Sequence, residues 1–261
     1  MPTVDRHNLL NRCLAVIPAR YASSRFPGKP LAMLGERPVL QYAYERARKV
    51  FPHVVIATDD ARIEQAVEKW GGRCVLTSPA CESGTARCAE VLQTCTDEPL
   101  WVVNIQGDEP FLCAEHFEAL LSGMATTSAD VVTLVCPFAE GTAYEDIASP
   151  NAVKVVVGAD GRALYFSRSP IPFVRDMEHS AWSTAFPFLR HIGLYAYTAQ
   201  SLRRISLLPK SPLEQAEKLE QLRWLSGGLT IQTVCVSRPT IDINTPEDLL
   251  RATQYLADSS H

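Results

Sequence analysis

Hydrophobic and polar positions follow two different periods along the first half of the chain. Cys13–Ala19, His53–Thr58 and Leu100–Ile105 are continuous apolar runs of strand length, which is typical of strands buried on both faces. Between them, segments 37–51 and 59–70 place apolar residues at helical spacing. Strands that alternate with helices predict right-handed βαβ crossovers. The pattern therefore indicates an α/β fold with a mainly parallel central sheet and helices on both faces.

The second half of the chain has a less regular pattern. Its predicted elements are strands at 152–157, 163–169 and 229–236, an irregular excursion across 170–190, one helix from Pro212 to Trp224, and a final helix capped by Thr245. Neither an internal repeat nor a polar linker divides the sequence. We therefore predict a single α/β domain over residues 1–261, with a mixed second half.

Composition narrows the classes of function. The 261 residues include 25 basic and 29 acidic side chains, so the formal net charge of −4 argues against a protein that binds nucleic acid through its phosphate backbone. The apolar runs are too short to cross a bilayer, and the first twelve residues lack a signal-peptide pattern. The eight cysteines form no CxxC pair, which favours free thiols and therefore a cytoplasmic protein. Together with the charge and the short apolar runs, this predicts neither a nucleic-acid partner nor a membrane partner.

The loop after the first strand, Pro18–Leu31, is the first candidate for function, because parallel sheets bind ligands at the carboxyl ends of their strands. It combines the cations Arg20, Arg25 and Lys29 with hydroxyls such as Ser24 and with a glycine. Cations and hydrogen-bond donors of this kind suit a polyphosphate. The alternative is an ordinary solvated basic loop.

Two further polar segments are expected at the same edge of the sheet. Asp108 follows the most apolar strand and can hold magnesium beside a triphosphate, since Mg²⁺ is usually bound by one or two carboxylates plus substrate phosphates. Ser83 is a candidate helix N-cap that leaves backbone amides free for an anion. The alternatives are an acidic turn and an ordinary cap.

Seven motifs occur in an order that resembles a known family. They are PARYASSRFPGKPL, SGTAR, IQGDEP, YFSRSPIP, LRHIGLYAY, SPLEQAEKLEQLR and NTPEDL. Together, from about Cys13 to Tyr255, they resemble the 3-deoxy-manno-octulosonate cytidylyltransferases, enzymes of lipopolysaccharide biosynthesis. The resemblance implies a Rossmann-like nucleotide-diphospho-sugar transferase fold. It also implies a magnesium-dependent enzyme that transfers the cytidylyl group of CTP to the anomeric hydroxyl of 3-deoxy-D-manno-octulosonate (Kdo), releasing pyrophosphate. A cytoplasmic homodimer that associates through residues of about 160–200 is implied as well.

The resemblance also implies roles for individual residues. The catalytic residues would be Arg20, Lys29 and Asp108, and the nucleotide would contact Arg20, Ser24, Arg25, Lys29, Ser83 and Gln106. The sugar acid would contact Gln106, Arg168, Arg175, His191, Tyr195, Glu220 and Gln221. The metal ligands would be Asp108 together with Asn244 or Asp242.

The chain departs from the family pattern at three places. Asn244 stands where the family usually has the second metal-binding aspartate; Asp242, on the same face of an extended strand, is the alternative ligand, and we favour Asn244 slightly. Ser78, Ala80 and Cys81 replace the usual Arg, Asp and His before Ser83, which affects how the base is held. Ala86 replaces an acid that would complete a helix cap, a loss of about 1 kcal/mol.

The predicted late helix can serve a sugar acid. It begins at a Ser211 cap and would place three acceptors on one face, Glu217, Glu220 and Gln221. Arg168 or Arg190 can bind the carboxylate of the sugar acid bidentately. The alternatives are a solvated helix face and, for His191, a structural role.

Three other functions remain open from the sequence. One is the same transfer to another sugar acid such as a sialic acid. Another is a metal-dependent sugar-nucleotide glycosyltransferase, although such enzymes usually carry Asp-x-Asp where this chain has Gln106-Gly-Asp-Glu. The third is a nucleotide-binding module without catalytic activity.

Overall fold

The computed structural model describes residues 6–22 and 25–258. The strands are β1 Cys13–Ala19, β2 Met33–Leu34, β3 Arg37–Pro38, β4 Val54–Thr58, β5 Cys74–Leu76, β6 Trp101–Asn104, β7 Val131–Pro137, β8 Lys154–Val157, β9 Ala163–Ser167, β10 Leu189–Thr198 and β11 Ile231–Cys235. The α-helices are α1 Arg6–Asn11, α2 Val39–Arg48, α3 Ala61–Lys69, α4 Gly84–Gln93, α5 Ala114–Thr126, α6 Tyr144–Ala148, α7 Trp182–Ala185, α8 Ala199–Leu207, α9 Pro212–Glu217, α10 Glu220–Ser226 and α11 Pro246–Asp258.

The described residues form two compact units. The first unit contains the described residues up to Phe117, together with Ala196–Ser206 and the described residues from Thr240 onward. The second unit contains Glu118–Tyr195 and Leu207–Pro239. The prediction of a single domain stays a prediction.

The first unit is built on a parallel sheet. β1 lies between β6 and β4, and β5 follows β4, with every pair parallel. All five residues of β4 and all four of β6 are buried, because strands covered on both faces need apolar side chains throughout. Helices α2, α3 and α4 pack against these strands. The predicted α/β arrangement is confirmed.

The second unit contains a mixed sheet, as the irregular second half of the sequence predicted. β11 pairs with β7 in parallel, whereas β8 pairs in antiparallel fashion with β9 and with β10. The excursion across 170–190 forms short helical turns around a hydrophobic cluster of Ile147, Trp182 and Phe188. The sequence analysis assigned no element to β7, α5 or α8.

The prediction of one continuous helix from Pro212 to Trp224 is wrong. The chain forms α9, breaks at Lys218, and starts again as α10. Lys218 has a φ of 54°, the left-handed conformation that ends helices. Consequently Glu217, Glu220 and Gln221 do not share a helix face.

All eight cysteines carry free thiols. Across residues 6–22 and 25–258, the helices are too short or too polar to cross a membrane.

Candidate active site

The loop after β1 turns sharply at a glycine before it presents Lys29. Gly28 has a φ of 73°, in the left-handed region that glycine tolerates best, and it lies against the ring of Tyr21. A 3₁₀ turn, Lys29–Leu31, follows directly. Ser24 lies outside the described residues, so its predicted contact with the nucleotide stays a prediction.

Lys29 and Asp108 form an ion pair between the β1 loop and the turn after β6. The Lys29 ammonium donates a hydrogen bond to the Asp108 carboxylate, and their side chains are only 14% and 27% exposed. The sequence predicted Asp108 at the carboxyl end of a central strand, facing the same crevice as the loop that carries Lys29. The parallel pairing of β1 with β6 explains why they meet.

Asn244 reaches the same place from the segment before α11. The Ile243 N–H donates to the Asp108 carbonyl oxygen at 2.9 Å, and the buried Ile243 side chain anchors the segment in the core. Arg25 donates to Asn244 Oδ1 at 3.1 Å, and the Asn244 amide donates to the Asp242 carboxylate. Both candidate second ligands, Asn244 and Asp242, are thereby tied to the strand end that carries Asp108.

A reciprocal cap fixes this segment at the start of α11. Thr245 Oγ1 accepts from the Asp248 N–H at 3.2 Å, and the Asp248 carboxylate accepts from the N–H groups of Thr245 and Asn244 at 2.9 and 3.0 Å. Burial opposes the charge of Asp248, but these backbone donors outweigh it, so the pKa of Asp248 is lowered. The sequence analysis found Thr245 but missed Asp248, although the T-x-x-D spacing carries the signal.

The donor set suits magnesium. Asp108, Asp242 and Asn244 offer carboxylate and amide oxygens, the hard ligands that this ion prefers. Among the described residues, no three His, Cys, Asp or Glu side chains form a cluster that could hold a metal ion without help. A site completed by substrate phosphates is consistent with both observations.

The start of α4 lies beside the end of β1. Ser83 Oγ accepts from the Ala86 N–H at 3.2 Å, which confirms the predicted N-cap. A Cβ on Gly84 would lie 3.3 Å from Pro18 Cγ, so glycine permits this close approach. The first amides of α4 therefore start next to the loop that carries the three predicted cations.

A buried polar network follows β6. Gln106 donates to Asn104 at 3.4 Å, and the Asn104 amide lies 3.4 Å from the Tyr197 hydroxyl, which is also 3.4 Å from Thr85 Oγ1. The last three side chains are nearly inaccessible to solvent. The sequence analysis proposed Gln106 but missed Asn104, Thr85 and Tyr197, because their contacts depend on tertiary packing.

Glu90 forms hydrogen bonds with residues 78–81, the segment that departs from the family pattern. Its carboxylate accepts from the Ser78 N–H and from the Cys81 thiol, each at 2.8 Å. Burial and the hydrogen bond to Glu90 together raise the pKa of Cys81 to about 11. Cys81 is therefore a neutral thiol at pH 7 that donates a structural hydrogen bond.

Arg20 carries a buried donor that meets no acceptor among the described residues. Within the described part of the chain, its Nε is buried and has no hydrogen-bond partner. A buried donor without a partner costs free energy, so a bound anion would satisfy it. The other loop cations, Arg25 and Lys29, already have partners.

His191, Tyr195 and Gln221 lie together in the second unit. Tyr195 stacks at a tilt against His191, with 5.3 Å between ring centroids, and Gln221 donates to the Tyr195 hydroxyl. Burial lowers the pKa of His191 to about 3, and its Nε2 lies 3.0 Å from Thr133 Oγ1. His191 is therefore neutral at pH 7. The structure brings together two predicted sugar-acid contacts from β10, His191 and Tyr195, and one from α10, Gln221.

The other predicted sugar-acid contacts differ in how many partners their side chains already have within the protein. Arg175 is 87% exposed and lies 3.3 Å from Asp176, while Glu220 pairs with Arg223 at 3.0 Å. Arg168 is occupied by backbone carbonyl groups: its Nε and Nη1 donate at 2.7 and 2.6 Å. By contrast, Arg190 has no hydrogen-bonded side-chain partner among the described residues. The sugar-acid roles of all these residues stay predictions.

Comparison with known proteins gives a consistent picture. Residues 14–231 match the cytidylyltransferase family model. The chain is 46% identical to the 3-deoxy-manno-octulosonate cytidylyltransferase of Porphyromonas gingivalis over 93% of this chain and 96% of the relative. It is also 46% identical to the protein of that name from Nitratidesulfovibrio vulgaris, over 91% and 93%.

Solved structures agree on the fold. A CMP:2-keto-3-deoxy-manno-octonic acid synthetase complexed with CTP superposes with a TM-score of 0.86 at 40% identity, covering 95% of this chain and 99% of that one. A 4-diphosphocytidyl-2C-methyl-D-erythritol synthase from Anaerococcus prevotii, at 14% identity and a TM-score of 0.60, shares the fold alone. The chain belongs to the cytidylyltransferase family, among the 3-deoxy-manno-octulosonate cytidylyltransferases.

Proposed function

We propose that this protein transfers the cytidylyl group of CTP to Kdo, giving CMP-Kdo and pyrophosphate for lipopolysaccharide biosynthesis. The observation that carries the proposal is the meeting of Lys29, Asp108, Arg25 and Asn244 at the carboxyl ends of β1 and β6. This arrangement occurs in a chain whose relatives bear that activity in their names.

The reaction joins two anions, so neutralising charge is the main task of the residues. The anomeric hydroxyl oxygen of Kdo forms a bond to the α-phosphorus of CTP, the bond from that phosphorus to pyrophosphate breaks, and the hydroxyl proton passes to solvent. Arg20, Arg25 and Lys29 would neutralise the charge that grows on pyrophosphate. The unpartnered Nε of Arg20 supports this role.

Magnesium would be held by Asp108 together with Asn244 or Asp242. When bound there, the ion would supply charge neutralisation and lower the pKa of a coordinated hydroxyl. Because Lys29 pairs with Asp108, the lysine is placed to hold that carboxylate in position. The neutral Asn244 would contribute an amide oxygen, and Asp242 the second negative charge.

The sugar acid would be recognised by Gln106 and by the second-unit group of Arg168, Arg175, His191, Tyr195, Glu220 and Gln221. The neutral His191 and the buried Gln221 can exchange hydrogen bonds with its hydroxyls without a charge penalty. Arg190 is the freer of the two arginines suggested for the carboxylate. We further propose that the enzyme acts as a homodimer in the cytoplasm.

An end-point assay tests the function. The purified protein is incubated with CTP, Kdo and Mg²⁺, pyrophosphate is quantified, and the sugar product is identified by mass spectrometry. We expect CMP-Kdo, and we expect its formation to stop with excess EDTA and resume with added Mg²⁺. Absence of CMP-Kdo under these conditions would overturn the proposal.

Parallel reactions separate the alternatives. UTP in place of CTP, and a sialic acid in place of Kdo, should each give far less product. Faster turnover with a sialic acid would assign a different sugar acid. Transfer of a sugar from a nucleotide sugar, without pyrophosphate release, would indicate a glycosyltransferase.

A further inference from the structure

Lys154, in β8, is a completely buried lysine. Its ammonium donates to three backbone carbonyl oxygens, those of Ser149 at 2.9 Å, Ala152 at 2.6 Å and Arg168 at 2.6 Å. An ammonium has three donors, so every one is used. Lysine is almost never fully buried without a partner, and an apolar side chain would fill this space at a lower desolvation cost. The lysine therefore has a task that an apolar residue could not perform.

The register of the sheet places Lys154 between two segments that carry predicted sugar-acid contacts. It is paired with Ser167 on β9 and with Arg190 on β10. Arg168 follows Ser167, and His191 follows Arg190 and donates its N–H to the carbonyl oxygen before Lys154 at 2.8 Å. A displacement of β8 would therefore also move Arg168, next to β9, and His191, in β10.

A third segment is attached through Arg168 and Glu217. The Glu217 carboxylate accepts from the Ser167 hydroxyl at 2.8 Å and from the Arg168 N–H at 2.6 Å. In return, Arg168 Nε donates to the Glu217 carbonyl oxygen at 2.7 Å, and its Nη2 to that of Lys218 at 3.4 Å. These contacts fix residues 217–218, the segment between α9 and the start of α10. Two of the predicted sugar-acid contacts are the first two residues of α10.

We propose that Lys154 is a positioning residue for the sugar acid: its ammonium holds the backbone of 149–152 and of Arg168 together, and thereby orients the residues that bind Kdo. Lys154 does not touch the substrate in this proposal. The inference rests on the proposed function, because Kdo is the ligand whose binding it controls.

The charges around Lys154 make its action depend on pH. Burial lowers the pKa of Lys154 to about 8, the positive charges of Arg168 and Arg190 act in the same direction, and Glu217 opposes them. On the flanking strands, the pKa of Tyr165 is raised and that of His191 is lowered to about 3, so both stay neutral between pH 7 and 9. Above about pH 8, Lys154 loses its charge and one of its three donors.

Steady-state kinetics between pH 7 and 9.5 test the proposal. For the unmodified protein we expect KM for Kdo to rise about tenfold between pH 7 and 9, because only the protonated form is competent to bind, while KM for CTP stays level. In Lys154→Met, KM for Kdo should be raised at least tenfold at pH 7 and should no longer vary near pH 8. Lys69→Met, which removes an exposed lysine of α3, is the matched control and should behave as the parent.

Each outcome decides between the two proposals. If the unmodified protein makes no CMP-Kdo, the proposed function fails and this inference fails with it. If it makes CMP-Kdo but Lys154→Met keeps the parental KM for Kdo, or raises KM for CTP equally, the inference alone is overturned. Should Lys154→Met not fold, as judged by circular dichroism, a level KM for Kdo in the unmodified protein would still overturn it.

Discussion

Single side chains decide whether the candidate site can hold a triphosphate. Lys29 and Asp108 are charged, mostly buried and directly paired. Breaking such a pair changes the electrostatics of the site far more than the packing of the core. Their contribution should therefore appear in turnover before it appears in stability.

Replacing Lys29 tests this at the residue scale. We expect Lys29→Met to lower kcat by about 10²–10³-fold, the usual cost of removing one preorganised group that stabilises transition-state charge. The free energy of unfolding, measured by urea titration, should fall by about 1–3 kcal/mol, because the Asp108 carboxylate is left without its partner. Arg37→Met, which breaks a half-exposed ion pair with Glu45 in the same unit, should leave kcat unchanged. Equal losses of kcat in the two variants would contradict the assignment of Lys29.

His191 gives a second prediction, on acid sensitivity. Burial lowers its folded-state pKa to about 3, whereas the ordinary pKa of a histidine in an unfolded chain is about 6.5. Below pH 6.5 the unfolded chain binds a proton that the folded state does not, so stability falls as pH decreases. Between pH 7 and 5 this amounts to about 2 kcal/mol. His191→Gln should lose that part of the pH dependence in urea titrations.

The exposed His53 supplies the control for that measurement. His53→Gln should retain the parental loss of stability between pH 7 and 5. If His191→Gln and His53→Gln lose the same amount of stability between pH 7 and 5, His191 is not the cause of that loss.

Sequence reasoning located residues whose position follows from a strand-loop pattern. It expected Lys29 and Asp108 at one crevice because ligands bind at the carboxyl ends of parallel strands, and the structure brings the two side chains together. Asn104 and Tyr197 were missed because they are 93 positions apart and their contact exists only after β6 and β10 have folded. Arg168 could not be recognised as a ligand of backbone carbonyl groups, since nothing in its local sequence specifies them.

Elements were predicted well wherever one periodicity dominated. The strands β1, β4 and β6 and the cap Ser83 are where the sequence placed them. The late helix was mispredicted because its apolar residues keep a helical spacing past Lys218, whereas the helical backbone ends at Glu217 and starts again at Glu220. The carbonyl oxygens of Glu217 and Lys218 accept from Arg168 instead of continuing a helical ladder.

The break at Lys218 allows an element-scale prediction. A left-handed backbone costs a residue with a Cβ about 1 kcal/mol relative to glycine. Lys218→Gly should therefore stabilise the protein by up to about 1 kcal/mol and raise Tm by roughly 2–4 °C in calorimetry. Lys218→Ala keeps the Cβ and should give no such gain. A continuous helix would give the opposite order, with alanine more stable than glycine.

At the scale of the whole molecule, we predict a homodimer and the segment through which it forms. The excursion of the second unit leaves Phe173 and Met177 exposed, by 73% and 52%. Large apolar side chains in one segment favour burial against another chain. We therefore place the proposed contact within residues of about 160–200.

Sedimentation of a charged variant tests that contact. The parent should sediment as two chains at micromolar concentration, and Phe173→Asp as one. Leu250→Asp, on α11 and 72% exposed, is the control and should remain a dimer. A parent that sediments as one chain, or a Phe173→Asp variant that remains a dimer, would contradict this location.

The sequence by itself determined the α/β class, the chain order of most elements and the family, and it singled out the side chains that we propose for the triphosphate. It could do so because periodicity, caps and motifs are local properties of the chain. Only the tertiary structure decided that Asp248 ties Asn244 to the helix cap, that Lys218 splits the late helix, and that Lys154 is buried under three carbonyl groups. Those features depend on which distant backbone groups a side chain meets, and that is fixed only when the strands have paired.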